Sequence, residues 1–253
     1  MFRRPNLAIL FVLTVVLLLA FSAAVTGKDK TTTLDTDPHL VGWWKFDETA
    51  GKTAADSSMH KRKGTLTGDL SFDKSSAEGR IGKALKLDGD DYVEITKYKG
   101  ITGTKPRTVA AWIRTNKTNG EIVSWGEDDF GKMFYCRFIR GRIGVTPDGG
   151  YLYMKDYIND DKWHHVAVVV AEADLPNLHD DVKLYKDGEV AEIDDIGLLD
   201  LWPLTTGKNI DVRIGRRYVG LLDDLRLYDR PLSDDEVKAI FQLKTNQPLP
   251  KPK

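Results

Sequence analysis

Cysteine is nearly missing: the 253 residues contain one, Cys136. A single thiol makes no internal disulfide, no cysteine-based zinc site and no CxxC redox pair. The fold must therefore rest on its core. A charge surplus is missing too. Lys plus Arg number 37 against 38 Asp plus Glu, a formal net charge of -1. This excludes nucleic acid as the main partner, because phosphate binding needs a basic excess. There is no Gly-rich phosphate loop; Gly141-Arg142-Ile143-Gly144 lacks the rest of such a pattern. There is also no G-x-S-x-G nucleophile elbow, no repeat of fixed period, and no long helical pattern from Val41 to about Tyr228.

What is present suits a globular chain. Hydrophobic residues make up 41% and aromatics 9%, which excludes wholesale disorder and collagen-like structure. The length accommodates one large β domain or two small ones. Residues 1–24 carry Arg3 and Arg4, an apolar run from Leu7 to Phe21 broken by Thr14, and the small residues Ser22-Ala23-Ala24. That is the layout of a secretory signal peptide. Counted through Val25 the run also just suffices for an uncleaved N-terminal anchor. Either way the rest of the chain leaves the cytoplasm, to be secreted or held at the cell surface or in the periplasm. A membrane is a partner only through this segment. Residues 25–39 are polar and aperiodic and read as a flexible linker; Asn246–Lys253 is Pro-rich, within a disordered tail set at 245–253.

Between them lie short apolar or alternating runs separated by Gly, Asp, Asn and Pro. Expected strands are 42–46, 84–87, 92–95, 108–115, 121–125, 134–139, 163–171, 182–186, 189–193, 212–214 and 222–228. Val182 and Leu184 oppose Lys183 and Tyr185; Leu225 and Leu227 oppose Arg226 and Tyr228. Period two with one apolar face is what two sheets packed face to face require. Val166–Ala171 is apolar throughout, as in a strand buried on both faces. Asp187-Gly188 favours a tight hairpin because both positions tolerate positive φ. Ser233-Asp234-Asp235-Glu236 is a capping box, followed by Val237, Ile240 and Phe241 on one helix face. The expected fold is all-β: a two-sheet jelly-roll sandwich over residues 40–244 with one short C-terminal helix, preceded by the hydrophobic signal segment.

Candidate chemistry is sparse. Glu192 and Asp194 share a strand face and suggest a glycosidase carboxylate pair, but they follow the Asp187-Gly188 hairpin and read as the solvated acidic face of an ordinary sandwich strand. His164 and His165 point to opposite faces, so they cannot share one metal or ligand. Cys136, inside FYCRF, reads as buried rather than reactive. Sugar binding needs aromatic faces beside polar groups, and the candidates are Trp125, Tyr135, Arg137, Tyr151, Tyr153, Trp202 and Tyr218. Trp125, Tyr135, Arg137 and Tyr218 are the chosen ligand-binding residues. Tyr135 and Arg137 sit two apart on one strand and share a face, placing a ring beside a cation. Trp43, Trp44, Trp112 and Trp163 read as packing. Asn116-Lys117-Thr118 matches a glycosylation sequon, meaningful only in a eukaryotic secretory route. Acids cluster in turns: Asp47-Glu48, Asp56, Asp88, Asp90, Asp91, Asp223 and Asp224. They suit either calcium or Asx-type turns.

Trp44-Lys45-Phe46-Asp47-Glu48, Asp56-Ser57-Ser58 and Gly82-Lys83-Ala84-Leu85-Lys86-Leu87-Asp88 occur in that order. They are followed by Thr108–Ile113, Trp163-His164-His165-Val166-Ala167, Leu184–Gly188 and Gly220–Ser233. This ordered set resembles a LamG-like jelly-roll domain of the concanavalin A-like lectin/glucanase superfamily. The resemblance implies sugar binders, adhesion modules or some glycosidases. It also implies a structural calcium with Asp56 and Asp223 as its carboxylates. The chain departs from the usual Gly and Asn after Asp-Ser: Met59-His60-Lys61-Arg62-Lys63 stands there, and its cations oppose a divalent ion. The glucanases' E-x-D-x-x-E ends here in Gly197 rather than a third carboxylate. The expectation is an exported, non-catalytic module that binds a glycan or an extracellular protein. A structural or adhesion domain on a membrane anchor is the alternative, and a glycan-degrading enzyme the third reading.

Overall fold

The computed structural model describes residues 34–197 and 202–243. The signal segment, most of the expected linker and the tail lie outside the described residues. In chain order the strands are β1 (Leu40–Trp44), β2 (Thr53–Ala54), β3 (Gly64–Leu66), β4 (Ser76–Glu78), β5 (Lys83–Asp88), β6 (Val93–Ile95), β7 (Arg107–Arg114), β8 (Gly120–Gly126) and β9 (Met133–Ile139). They continue with β10 (Arg142–Thr146), β11 (Tyr151–Met154), β12 (His164–Val170), β13 (Val182–Lys186), β14 (Glu189–Val190), β15 (Ile193–Gly197), β16 (Ile210–Ile214) and β17 (Val219–Tyr228). Two helices accompany them, α1 (Phe72–Ser75) and α2 (Asp234–Phe241). Among the described residues no helix is long and apolar enough to cross a membrane.

The strands form two antiparallel sheets. One runs β14-β13-β12-β7-β17-β5-β4, with β1 also paired to β17; the other runs β15-β11-β10-β9-β8-β16-β6-β3-β2. Alternation supplies the core between them. Val109, Ala111, Ile113, Val166, Val168 and Leu184 from the first sheet meet Val123, Trp125, Phe134, Cys136, Phe138 and Ile143 from the second. Each fully buried aliphatic side chain of this kind contributes about 1.5–3 kcal/mol before entropy is counted.

The first sheet is covered on its other side as well. Leu40, Trp43, Ala110, Ala167, Val169, Tyr185 and Tyr228 form a second cluster there with Leu34 and with Val237 and Ile240 of α2. Burial on both faces is why β12 reads as an unbroken apolar run. The capping box is present: Ser233 Oγ accepts from the Glu236 amide and the Glu236 carboxylate accepts from the Ser233 amide. Among the described residues no helix packs on the outer side of the second sheet.

Four expectations change. Residues 189–193 are not one strand. The Asp187-Gly188 turn, with φ of 52° and 84°, forms the expected hairpin of β13 and β14, but the chain then leaves that sheet and enters the other as β15. Second, β10 and β11 are strands the sequence reading did not assign. Third, β2, β3 and β4 are similarly short and unassigned. Fourth, residues 34–39 are docked. Leu34 is buried, Asp35 pairs with Arg226, Asp37 with Arg230 and His39 with Asp229. The polar composition that suggests a linker is what buried guanidinium groups need as partners.

Strand β17 has an edge shared by two partners. β5 pairs with Val219–Leu222 and β1 with Leu225–Tyr228. The changeover falls at Asp223-Asp224, where the pairing with β7 is also irregular and Asp224 takes φ of 49°.

Candidate functional site

On β9, Phe134, Cys136 and Phe138 point into the core, so Tyr135, Arg137 and Ile139 point outward from the second sheet. Register carries this face across the strands. Tyr135 lies opposite Thr146 on β10 and Ser124 on β8; Ser124 lies opposite Arg213 on β16; Arg213 lies opposite Glu94 on β6; Glu94 lies opposite Thr65 on β3. A second row follows Tyr153, Gly144, Arg137 and Glu121. Together they make one face, on which Thr65 is exposed and Tyr135, Arg137, Thr146, Arg213 and Glu94 are half-buried, while Ser124, Glu121 and Tyr153 are buried beneath their neighbours.

The electrostatics of this surface are specific. Glu121, although buried, accepts from Ser124 Oγ at 2.8 Å and pairs with Arg216 at 3.4 Å. The Arg137 guanidinium stands 5.8 Å from the Tyr135 ring centre. Its Nε, like that of Arg213, is buried without a hydrogen-bond partner. Burial, then the charges of Glu121 and Asp148, raises the pKa of Tyr135, so its phenol remains a hydrogen-bond donor at neutral pH. Arg142 is held between Tyr153 and Tyr157, at 5.3 and 4.5 Å from the ring centres, and pairs with Asp194 at 2.7 Å. Tyr151 stacks on Tyr153 with ring centres 5.5 Å apart. Gly144 lets the strands' side chains close over it: a Cβ there would stand 2.8 Å from the Tyr153 Cβ and 3.0 Å from the Ile139 Cδ1. At one end of the sheet Phe130, 60% exposed, stacks on Trp202 at 5.0 Å, and Gly149 packs against both rings.

Two of the four chosen ligand-binding residues are elsewhere. Trp125 is fully buried between the sheets, donating Nε1–H to the Ile101 carbonyl at 2.9 Å and packing on Phe134. Tyr218 is also buried in that core, its hydroxyl within hydrogen-bond distance of the Arg114 and Leu221 carbonyls. Both are corrections, since a ligand cannot touch them. Tyr135 and Arg137 stand together on the open face, as their spacing requires. Tyr151 and Phe130 add exposed rings, whereas Tyr153, on the same strand face as Tyr151, is itself buried. The Tyr-Leu-Tyr-Met alternation of β11 is the signal that would have found that strand; for Phe130, inside a loop, the sequence offers none.

The other candidates have structural partners. Glu192 pairs with Lys155 and lies just outside β15. His164 is held by Asp187 at 2.9 Å and Asp160 at 3.1 Å. His165 packs edge-on against Trp112 at 5.3 Å, with both ring nitrogens unpartnered. Cys136 is buried, and burial pushes its thiol up to about 12, which leaves it unreactive.

Asp56 and Asp223 do not fit the calcium shell that the resemblance implies. Both Asp56 oxygens are committed, Oδ1 to the amides of Trp43 and Ser58 and Oδ2 to Ser58 Oγ and the Arg62 amide. That is an Asx-type turn. Asp223 Oδ2 accepts from the Ile81 amide at 2.7 Å, while Oδ1 is buried without a partner. Burial above all, with nearby Asp224 and Asp47, pushes its pKa up to about 8 against the pull of the Ile81 and Arg80 amides. It faces a cavity of about 200 Å³ lined by Asp47, Lys45, Trp43 and Asp224. Among the described residues no group of three or more His, Cys, Asp or Glu is arranged to hold a metal ion.

Comparison with curated proteins finds no match. Among solved structures, the chain resembles domain 4 of AbnA, an extracellular GH43 arabinanase from Geobacillus stearothermophilus, in complex with arabinotriose. The TM-score is 0.58 at 20% identity, over 80% of this chain and 98% of that one. It also resembles the botulinum neurotoxin serotype D binding domain, with a TM-score of 0.51 at 16% identity over 85% of this chain and 52% of that one. A ligand binding domain of the same serotype in complex with N-acetylneuraminic acid gives 0.52 at 13% over 85% and 52%. The chain thus spans about half the length of the toxin domains. At these identities the likeness is one of fold. The concanavalin A-like lectin/glucanases superfamily is matched by residues 87–238, more than half of the sequence, and the chain belongs to it.

Proposed function

We propose that the protein is an exported, non-catalytic module that binds a glycan on the outer face of its second sheet, with the Tyr135 ring as the stacking platform. One observation carries this reading: among the described residues no helix packs on the outer face of the second sheet, and that face sets the Tyr135 ring beside hydroxyl, carboxylate and guanidinium groups. Sugars present apolar CH faces and hydroxyl edges, so such a surface matches both. The structures bound to arabinotriose and to N-acetylneuraminic acid support the same class of ligand by their fold. The N-terminal Arg3-Arg4 and apolar run support export.

A glycan array followed by titration calorimetry tests the reading. Tyr135→Ala should weaken binding to the retained glycan about tenfold or more, as loss of an aromatic anchor does, while the melting midpoint stays near that of the parent. No retained glycan, or equal affinity in the variant, would overturn it. Release of new reducing ends from a bound glycan would overturn the non-catalytic part.

A further inference from the structure

On the outer face of the second sheet two guanidinium groups form no ion pair among the described residues. Arg137 and Arg213 are half-buried on it, and neither makes an ion pair or a side-chain hydrogen bond among the described residues. Their Nε donors are buried without acceptors. A guanidinium in that position gains from any anion that reaches it, because its charge and its donors are otherwise uncompensated. Nearby carboxylates are engaged or offset. Glu121 is taken by Arg216 and Ser124, and Asp194 by Arg142. Glu94 lies across from Arg213 without forming an ion pair, and Asp211, whose pKa the charge of Arg213 helps to lower, is paired with Lys99 at 2.7 Å.

The face is also polarised along its strands. The β8–β9 loop, beside Tyr135, carries Asp128 and Asp129, with Asp148 close by. The opposite end carries Arg140 in the β9–β10 turn, Arg217 in the β16–β17 turn and Lys117 in the loop before β8, all exposed. These three segments are neighbours. The Gly141 amide donates to the Thr118 carbonyl at 2.8 Å, and a Cβ on Gly120 would meet the Arg217 carbonyl at 3.0 Å. Tyr135 and Arg137 are two residues apart on a strand, about 7 Å along its axis, roughly the reach of one sugar ring and its acidic substituent.

Resting on the glycan reading above, we infer that the ligand is an acidic glycan, carrying carboxylate or sulfate, with its ring on Tyr135 and its anionic group on Arg137 toward the basic end.

The test compares three probes by calorimetry at low and high salt: oligogalacturonate for carboxylate, heparin-derived oligosaccharide for sulfate, and a neutral arabino-oligosaccharide. One or both acidic probes should bind about tenfold or more tighter than the neutral one, and the margin should shrink in salt. Arg137→Gln should collapse the acidic-to-neutral ratio, and Arg213→Gln should reduce it. Lys238→Gln, which removes a cation from α2 on the far side of the molecule, should leave the ratio unchanged. A neutral probe bound as tightly as the acidic ones would overturn the acidic preference and leave the glycan reading standing. A ratio insensitive to Arg137→Gln, or lost equally on Lys238→Gln, would overturn the assigned site. If the full array retains no glycan of either class, the underlying glycan reading fails instead.

Discussion

His164 and His165 are adjacent, yet they titrate in opposite directions because a strand sends them to opposite sides. Burial drives the pKa of His165 down to about 4. Its unfolded value is about 6.5. The stability linked to it is therefore full above that value and lost as pH falls from about 6.5 toward 4, on the order of 3 kcal/mol. For His164, desolvation acts downward, but the hydrogen bonds and charges of Asp187 and Asp160 outweigh it and raise the pKa. Its contribution is full below the unfolded value and is lost as pH rises through the raised one. His165→Phe should thus flatten the acid limb of the stability curve. Urea midpoints measured from pH 4 to 7 check this; an acid limb as steep as in the parent would count against it. The spacing of Tyr135 and Arg137, like that of the histidines, was legible because period two fixes their face. Trp125 and Tyr218 were not legible, because a ring that caps a core and a ring that holds a ligand look alike in sequence. Burial between the sheets and hydrogen bonds to backbone carbonyls tell them apart.

At the scale of the element, α2 depends on its first turn. Ser233→Ala removes the cap and should cost about 1 kcal/mol, measured by chemical denaturation. A loss near zero would mean that packing of Val237 and Ile240 alone sets the helix. Strand β17 depends on charge. Arg226 and Asp224 are paired at 3.0 Å with both side chains buried, and Arg226 lies 4.1 Å from the Trp43 ring. Arg226→Leu leaves Asp224 buried without its counter-ion, held only by the Trp43 indole N–H, a loss of about 3–5 kcal/mol. Asp35→Ala removes only the partly exposed partner and should cost less, about 1 kcal/mol or below. Equal losses would contradict this ranking. The alternating residues and capping box of these elements were readable. β14 and β15 were run together because the Asp187-Gly188 turn implied a return strand, and nothing local marks where the chain changes sheets.

For the whole molecule, the closing sheet order was not legible, since register between distant strands depends on packing that no local pattern encodes. Calcium offers a global check. With Asp56 saturated by amide and hydroxyl donors, the melting midpoint should be the same with added calcium and with chelator, since an ion that binds only the folded form must raise it. A clear rise with calcium would show that the Asp56 turn rearranges around the ion.

Leu34 and Leu243 both belong to the layer behind the first sheet, together with α2, whereas Tyr135 and Arg137 stand on the opposite exterior. Whatever is joined at either end of the domain therefore hangs from its rear. A bead, a neighbouring module or a lipid bilayer holding the chain at Leu34 or Leu243 would leave the side that carries Tyr135 and Arg137 turned outward.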